Sequence, residues 1–379
     1  MAQAILVRAI KPSLLGFFRR ANPWRSLCVV MGCLSSKSSG PSSRISKVVN
    51  TGALRDSCYN QYGVYGVPGC DMLIRGSIMY VAGGNGLAVM DISNPAKTNR
   101  IGGLIDTGAL SDNGGAALIL LEAEKPLLYV LGGKGLAVMD LTDASKPVRI
   151  ESVIDTGALM LDSDVAAMLS GSLMYVAGGH GLAVMDVSQP TKPWRIGEIT
   201  TTGVLGSIGG AAMLVSEEVM YVAGSKGLTV FSLEDPKAPA QVSDVISTGV
   251  LTFSTGAALA VDGTTLYVIG GLGLARLDIS DKFKPSHMSK QDTGCLSGSG
   301  GAGAIAIDSG SKLLVAGGHG LGIFALAGSE EPSRQGDVIN TGCLSEGGGC
   351  AIALHNGIVF IAGGKGLAAF DLGMLRVHH

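Results

Sequence analysis

Short runs of apolar residues, each closed by turn-forming residues, recur along most of this chain. Within residues 107–155 the apolar runs cover 116–121, 127–131 and 136–141, and an alternating segment follows at 148–154. The runs are rich in Val, Ile, Leu and Tyr, and Gly, Pro, Asp or Ser bounds each of them. Runs of this length and composition predict β-strands, because they lack the length and the period of a helix. The pattern therefore predicts four short strands in this segment.

The four-strand segment is one of seven repeats. A Gly-Leu pair marks each copy, with its leucine at Leu87, Leu136, Leu182, Leu228, Leu274, Leu321 and Leu367. A second motif, Thr-Gly-x-Leu, starts at Thr51, Thr107, Thr156, Thr202, Thr248, Thr293 and Thr341. The marked leucines are 46–49 residues apart, and periods of about 40–50 residues are typical of solenoids and propellers. Seven units of four strands predict an all-β fold, a seven-bladed β-propeller with four antiparallel strands in each blade.

The two ends of the repeat region predict a closed ring. The last repeat stops after three strands, and a tail of residues 373–379 follows it. The segment 44–54, RISKVVNTGAL, aligns with 100–110, RIGGLIDTGAL, which contains the fourth strand of the first repeat. We therefore expect an N-terminal strand to complete the last blade, so that residues 44–372 form the propeller and no blade has an open end.

The repeat at Met79–Pro95, MYVAGGNGLAVMDISNP, resembles the LVIVD-repeat family of β-propellers. The resemblance covers roughly residues 44–372, and it implies a propeller that mostly lacks an assigned reaction. Two copies depart from the pattern, since Ser232 and Ala325 replace the aspartate that ends the third strand in the other five. The Tyr-Val-Ala-Gly-Gly segment also looks like a kelch repeat, but Trp194 is the only tryptophan of the repeat region.

Residues 1–43 precede the repeats and form a separate basic leader. They contain six basic residues, no acidic residue and several serines. This composition favours a mitochondrial or plastid transit peptide, and the apolar stretch 27–34 leaves a secretory signal or simple disorder open. The sequence MGCLSSK also fits an N-myristoylation pattern. If translation starts at Met31, Gly32 and Cys33 are lipidation candidates, and acylation would tether the protein to a membrane.

Charge argues against one class of partner. After residue 50 the chain has 20 basic and 30 acidic residues, and only 5% of the whole chain is aromatic. Nucleic-acid binding depends on clustered Lys and Arg, so we expect no nucleic-acid partner. We expect instead a monomer with a protein partner, no cofactor, and membrane contact only through lipidation.

Two repeated turns are the first candidate sites, and we expect both on one face of the ring. The residues that precede the Thr-Gly-x-Leu threonines have short polar side chains, which are typical of local turns in which the side chain accepts a backbone N–H of the loop. The alternative is that the seven side chains form a ring of ligands for a cation or a polar molecule. They are Asn50, Asp106, Asp155, Thr201, Ser247, Asp292 and Asn340. The variable residues of the Gly-Gly-x-Gly turns are predicted to be solvent-exposed turn residues. The alternative is that they form an interaction face for an acidic partner or an anionic ligand. They are Asn85, Lys134, His180, Lys226, Leu272, His319 and Lys365.

The cysteines and one long connection complete the candidates. Cys295 and Cys343 share one position of the repeat, and Cys70 and Cys350 share another that should start innermost strands near the channel. These cysteines are predicted to pack as small apolar side chains in a tight loop or in the channel wall. The alternative is a thiol cluster that oxidises or binds a soft metal. The connection 55–68 is longer than the others. It concentrates the ligand-binding candidates Tyr59, Tyr62 and Tyr65 on the same face.

These patterns favour a non-catalytic interaction or scaffold module. The sequence has no HExxH, CxxC, EF-hand or G-x-S-x-G motif, so it nominates no catalytic residue and no metal site. The alternative is an enzyme or small-ligand binder that uses the channel mouth formed by the Thr-Gly-x-Leu loops and the 55–68 insertion. Non-repeating polar side chains in the channel would favour that alternative, whereas inner strands of Ala, Gly, Val and Leu would favour the first.

Overall fold

A computed structural model describes residues 44–55, 69–206, 209–216, 218–253, 255–296, 301–308, 312–326 and 330–375. Their strands form seven antiparallel sheets, each from consecutive strands of the chain. The first three sheets hold β1 (Asp71–Arg75), β2 (Ile78–Gly83), β3 (Gly86–Asp91) and β4 (Asn99–Ile105); β5 (Ala116–Leu121), β6 (Leu127–Gly132), β7 (Gly135–Asp140) and β8 (Val148–Arg149); and β9 (Ala166–Ser170), β10 (Leu173–Gly178), β11 (Gly181–Asp186) and β12 (Trp194–Thr200).

The next three sheets repeat the arrangement, and the last has three strands in sequence order. They hold β13 (Ala211–Ser216), β14 (Val219–Gly224), β15 (Gly227–Ser232) and β16 (Ala240–Gln241); β17 (Ala258–Asp262), β18 (Thr265–Gly270), β19 (Gly273–Asp278) and β20 (Ser286–Gln291); β21 (Ala304–Asp308), β22 (Lys312–Gly317), β23 (Gly320–Ala325) and β24 (Ser333–Arg334); and β25 (Cys350–His355), β26 (Ile358–Gly363) and β27 (Gly366–Asp371). A short 3-10 helix, Pro95–Lys97, lies between β3 and β4. Among the described residues, no helix is long and apolar enough to cross a membrane.

The seven sheets are arranged as the blades of a ring. Each first strand lies beside the first strands of the neighbouring sheets, in the order β1, β5, β9, β13, β17, β21 and β25, and β25 lies beside β1. The innermost strands therefore surround one central channel, which confirms the seven-bladed propeller predicted from the repeats.

The N-terminal segment completes the last blade, as predicted. Arg44 and Val49 form antiparallel bridges with Phe370 and Leu367 of β27. The N–H of Val49 donates to the carbonyl of Leu367 and the N–H of Leu367 donates to the carbonyl of Val49, both at 2.8 Å. The buried Ser46 Oγ also accepts the N–H of Ala369 at 2.8 Å. Residues 44–49 thus supply the fourth strand of the seventh blade.

The core is divided among the interfaces between blades. Seven apolar clusters fill them, and the cluster between the last and first blades includes Ile45, Val49 and Ala53 from the N-terminal segment. Side-chain hydrogen bonds link neighbouring blades as well. The buried Tyr129 hydroxyl of β6 donates to the carbonyl of Pro190 in the next blade at 2.6 Å, and Tyr80, Tyr175 and Tyr221 make the equivalent bond. The repeated tyrosine therefore joins adjacent blades on the side of the turns between third and fourth strands.

The outermost strands are less regular than the sequence pattern predicts. In the second blade, β8 covers only Val148–Arg149 of the expected 148–154 segment, and Ile154 rejoins Leu136 through an isolated bridge. Where the fourth strand is continuous, as in the first and third blades, its pairing shifts register beside Leu87 and Leu182. The outer edge of a blade has no further strand to pair with, so local bulges there cost few hydrogen bonds.

Candidate functional site

The two repeated turn elements lie against each other on one face of the ring. In every blade the N–H of the variable Gly-Gly-x-Gly residue donates to the carbonyl of the variable residue in Thr-Gly-x-Leu. Examples are Lys134 to Ala109 and His180 to Ala158, both at 3.0 Å. We call this surface the turn face and the seven variable residues its tips. They are Asn85, Lys134, His180, Lys226, Leu272, His319 and Lys365.

The residues that precede the threonines form local turns. The side-chain oxygens of Asn50, Asp106, Asp155, Asp292 and Asn340 each accept the N–H of the glycine two residues later, at 2.8–2.9 Å. The seven threonines are buried, and in six of the repeats the hydroxyl accepts the N–H two residues on. These groups satisfy loop amides, so they stiffen the turn face.

The tip side chains are exposed and differ in their contacts. Asn85 is held in place, because its Oδ1 accepts Arg55 Nε at 2.8 Å and its Nδ2 faces two backbone carbonyls. His319 Nε2 lies 3.8 Å from a Glu346 carboxylate oxygen. The predicted ligand candidates Tyr59, Tyr62 and Tyr65 lie outside the described residues.

The central channel opens to a cavity of about 270 Å³. Most of its wall is Ala and Gly from the starts of the innermost strands. Two aspartates that each stand alone at their repeat position, Asp71 and Asp164, interrupt that wall together with Cys70 and Cys350. The channel therefore contains the kind of side chains that would favour a small-ligand site.

Each of the two channel carboxyl groups accepts a backbone N–H of the next blade. Asp71 accepts the N–H of Leu118 at 2.8 Å, and Asp164 accepts those of Val165 at 3.0 Å and Ala211 at 3.4 Å. Burial raises the pKa of Asp164 to about 7 and that of Asp71 to about 6, against the opposing effect of these hydrogen bonds. The carboxyl groups thus satisfy edge amides of inner strands at the cost of desolvation.

The channel aspartates were absent from the sequence-based candidates. They do not belong to either repeated motif, and each stands alone at its position. At the position of Asp71 the strand registers place an alanine in each of the other six blades, Ala117, Ala166, Ala212, Ala258, Ala304 and Ala351. Searching the repeats for residues that depart from the shared pattern would have found it.

The four cysteines of interest occupy two environments. Cys70 and Cys350 line the channel. Burial is the main cause that raises the pKa of both thiols, and the neighbouring thiols raise it further. Cys295 and Cys343 are fully buried in turns of the face, and burial raises the pKa of Cys295 to about 11. All four are free thiols. Within the described ranges no three or more His, Cys, Asp or Glu side chains are placed to hold a metal ion.

Comparison with known proteins agrees with this architecture. The LVIVD-repeat family model matches residues 69–103 and 163–201. No curated protein sequence matches the chain.

Solved structures share the fold at low sequence identity. Virginiamycin B lyase from Staphylococcus aureus aligns with a TM-score of 0.53 and 9% identity, over 80% of this chain and 94% of that one. A functionally unknown protein from Desulfotomaculum acetoxidans aligns with a TM-score of 0.54 and 12% identity, over 83% and 98% of the two chains. A protein from Lactobacillus plantarum reaches 0.53 and 16%, over 78% and 87%. At these identities the similarity shows the fold alone. This chain is thus a seven-bladed β-propeller that carries LVIVD repeats.

Proposed function

We propose that this propeller is a non-catalytic interaction module that binds a protein partner through its turn face. One observation carries the proposal. The repeated residues of the turns are used in internal hydrogen bonds, whereas the tip residues point outward and vary from blade to blade. A rigid scaffold that presents variable exposed side chains is the usual arrangement of a recognition surface.

The charges of the tips favour an acidic segment of the partner. Five of the seven tips are Lys or His. Within the described residues, Lys134, Lys226 and Lys365 have no carboxylate close enough for an ion pair. Such exposed lysines mainly raise the association rate and select the partner, and both effects weaken with salt.

The test compares two double variants of equal charge change. Lys134→Glu with Lys226→Glu alters the turn face, and Lys146→Glu with Lys237→Glu alters exposed turns on the opposite side. Partner capture by the immobilised full chain, quantified by mass spectrometry, should fall about tenfold or more for the first variant and remain unchanged for the second. Equal capture by both variants would exclude the turn face as the interaction surface.

The alternative function is a small-ligand or catalytic site at the channel mouth. It is favoured by the non-repeating Asp71 and Asp164, although both carboxyl groups already accept backbone amides. A ligand whose binding survives the turn-face substitutions and is lost on Asp71→Asn would support this alternative over the first proposal.

A further inference from the structure

A polar groove lies on the turn face at the seam between the last blade and the first. Its volume is about 670 Å³, and its polar wall is formed by Asn50, Arg55, Asn85 and Lys365, with Gly52 and Gly364 between them. Asn50 comes from the segment that completes the last blade, and Asn85 is the tip of the first blade. The groove is therefore built from residues of both ends of the propeller.

Arg55 is held in this groove by two neighbours. Its Nε donates to Asn85 Oδ1 at 2.8 Å, and its Nη2 pairs with Asp112 at 3.1 Å. Asn85 is itself fixed, because its Nδ2 donates to the carbonyls of Gly52 at 3.1 Å and Leu54 at 3.3 Å. A guanidinium fixed in this way loses less side-chain entropy when it binds a ligand.

Three donors facing this region still lack an acceptor. Among the described residues, no hydrogen-bond acceptor is within reach of Arg55 Nη1, Asn50 Nδ2 or Lys365 Nζ. Arg100 adds positive charge next to the groove wall, because its Nη1 donates to the carbonyl of Thr51, between Asn50 and Gly52, at 3.0 Å. Asp112 is the opposing carboxylate, and its side chain is 68% exposed. Positive charge and donors without acceptors favour an anionic ligand.

The other six seams do not offer this combination. At the position of Arg55 the later repeats have Ser111, Met160, Gly206, Thr252, Ser297 and Ser345. At the position of Asn50, three repeats have an aspartate, whose negative charge would repel an anion. The seam groove thus differs from every other seam by a cationic residue, Arg55, and its neutral Asn50 avoids the aspartate that three repeats carry.

We propose that this groove binds the phosphate group of a small phosphate ester. Arg and Lys form strong charge-assisted hydrogen bonds to phosphate oxygens, and the Asn50 amide adds a neutral donor. The groove volume falls within the range of about 300–1,000 Å³ that small-molecule sites occupy, so room remains for the organic part of an ester. The groove shares the tips Asn85 and Lys365 with the turn face, but the lysines substituted in the test of protein binding, Lys134 and Lys226, lie outside it.

The test uses substitutions that the protein already contains in other blades. Arg55→Ser introduces the residue found at Ser111, and Lys365→Asn introduces the residue found at Asn85. Lys134→Asn is the matched control, because it makes the same change at a tip outside the groove. Binding of phenyl phosphate, inorganic phosphate and acetate to the full chain would be measured by isothermal titration calorimetry at low salt.

We expect phenyl phosphate and inorganic phosphate to bind the wild type and the control alike, and more tightly than acetate. Loss of a charged hydrogen bond should weaken binding about tenfold or more in each of Arg55→Ser and Lys365→Asn. Asp112→Asn should tighten binding, because it removes the carboxylate that competes for Arg55. Absence of phosphate binding, a preference for acetate, or equal affinities of the wild type and the groove variants would each overturn the proposal.

Discussion

Removal of the closing strand is the most direct perturbation of this ring. A chain that begins at residue 51 lacks the segment 44–50, whereas a chain that begins at residue 44 retains it. Besides a long bond from the Ser46 N–H to the Ala369 carbonyl at 3.4 Å, the segment contributes four shorter hydrogen bonds to β27, three of them at 2.8 Å and one, from Ile45 to Ala369, at 3.0 Å. At about 1 kcal/mol each, these contribute roughly 4 kcal/mol to the free energy of unfolding.

Burial adds to that loss. Ile45, Val48 and Val49 are partly buried against the last two blade interfaces, at roughly 1 kcal/mol each for half-burial of an aliphatic side chain. The total of about 7 kcal/mol is comparable with the whole stability of a typical domain, about 5–15 kcal/mol. We therefore expect the chain that begins at 51 to lose cooperative unfolding or to unfold at much lower denaturant concentration.

The assay is urea unfolding followed by circular dichroism, with the chain that begins at 44 as the control. That control should unfold like the full-length protein, and a synthetic peptide of residues 44–54 added to the shorter chain should restore part of its stability. The reasoning would be refuted if the two truncated chains had the same unfolding midpoint.

A single substitution isolates one bond of the closure. Ser46→Ala removes the buried acceptor of the Ala369 N–H, and Ser243→Ala removes the equivalent acceptor of Val230, at 3.0 Å, in the fourth blade. Leaving a buried N–H without an acceptor costs about 1–3 kcal/mol. Similar losses for the two variants would show that the N-terminal strand is bound as firmly as a strand within one continuous blade, whereas a negligible loss for Ser46→Ala alone would contradict that.

Two further predictions concern backbone geometry and pH. Gly157 and Gly171 both have positive φ, +76° and +59°. A Cβ added at Gly157 would meet Arg195, whereas one added at Gly171 would meet open space. Gly157→Ala should therefore lower the unfolding midpoint more than Gly171→Ala does. Because the folded pKa of Asp164 is raised to about 7, its stabilising contribution is complete below the unfolded value near 4 and is lost as pH rises toward 7. The free energy of unfolding of Asp164→Asn should therefore rise relative to that of the wild type by roughly 4 kcal/mol between about pH 4 and pH 8. A difference between the two proteins that does not change with pH would exclude this explanation.

The sequence predicted the parts of the fold that repeat. The spacing of the seven leucines, the short apolar runs and the match of 44–54 to 100–110 are local patterns, and they predicted the blades and the split closure. The same repeats placed the tip residues on one face. Irregular outer strands such as 148–154 were not anticipated, because alternation indicates a strand but not which of its hydrogen bonds survive at an open edge.

The sequence by itself determined that identical local units must stack, because each unit has two apolar faces that only neighbouring blades can cover. Only the tertiary structure decided which non-repeating residues meet. Asp164 reaches the amide of Ala211 in the next blade, and Arg55 meets Asn85 across a turn in the groove that also contains Lys365 from the far end of the chain. Such encounters depend on how the ring closes in space, and a single residue that departs from a repeat carries no periodic signal in the sequence.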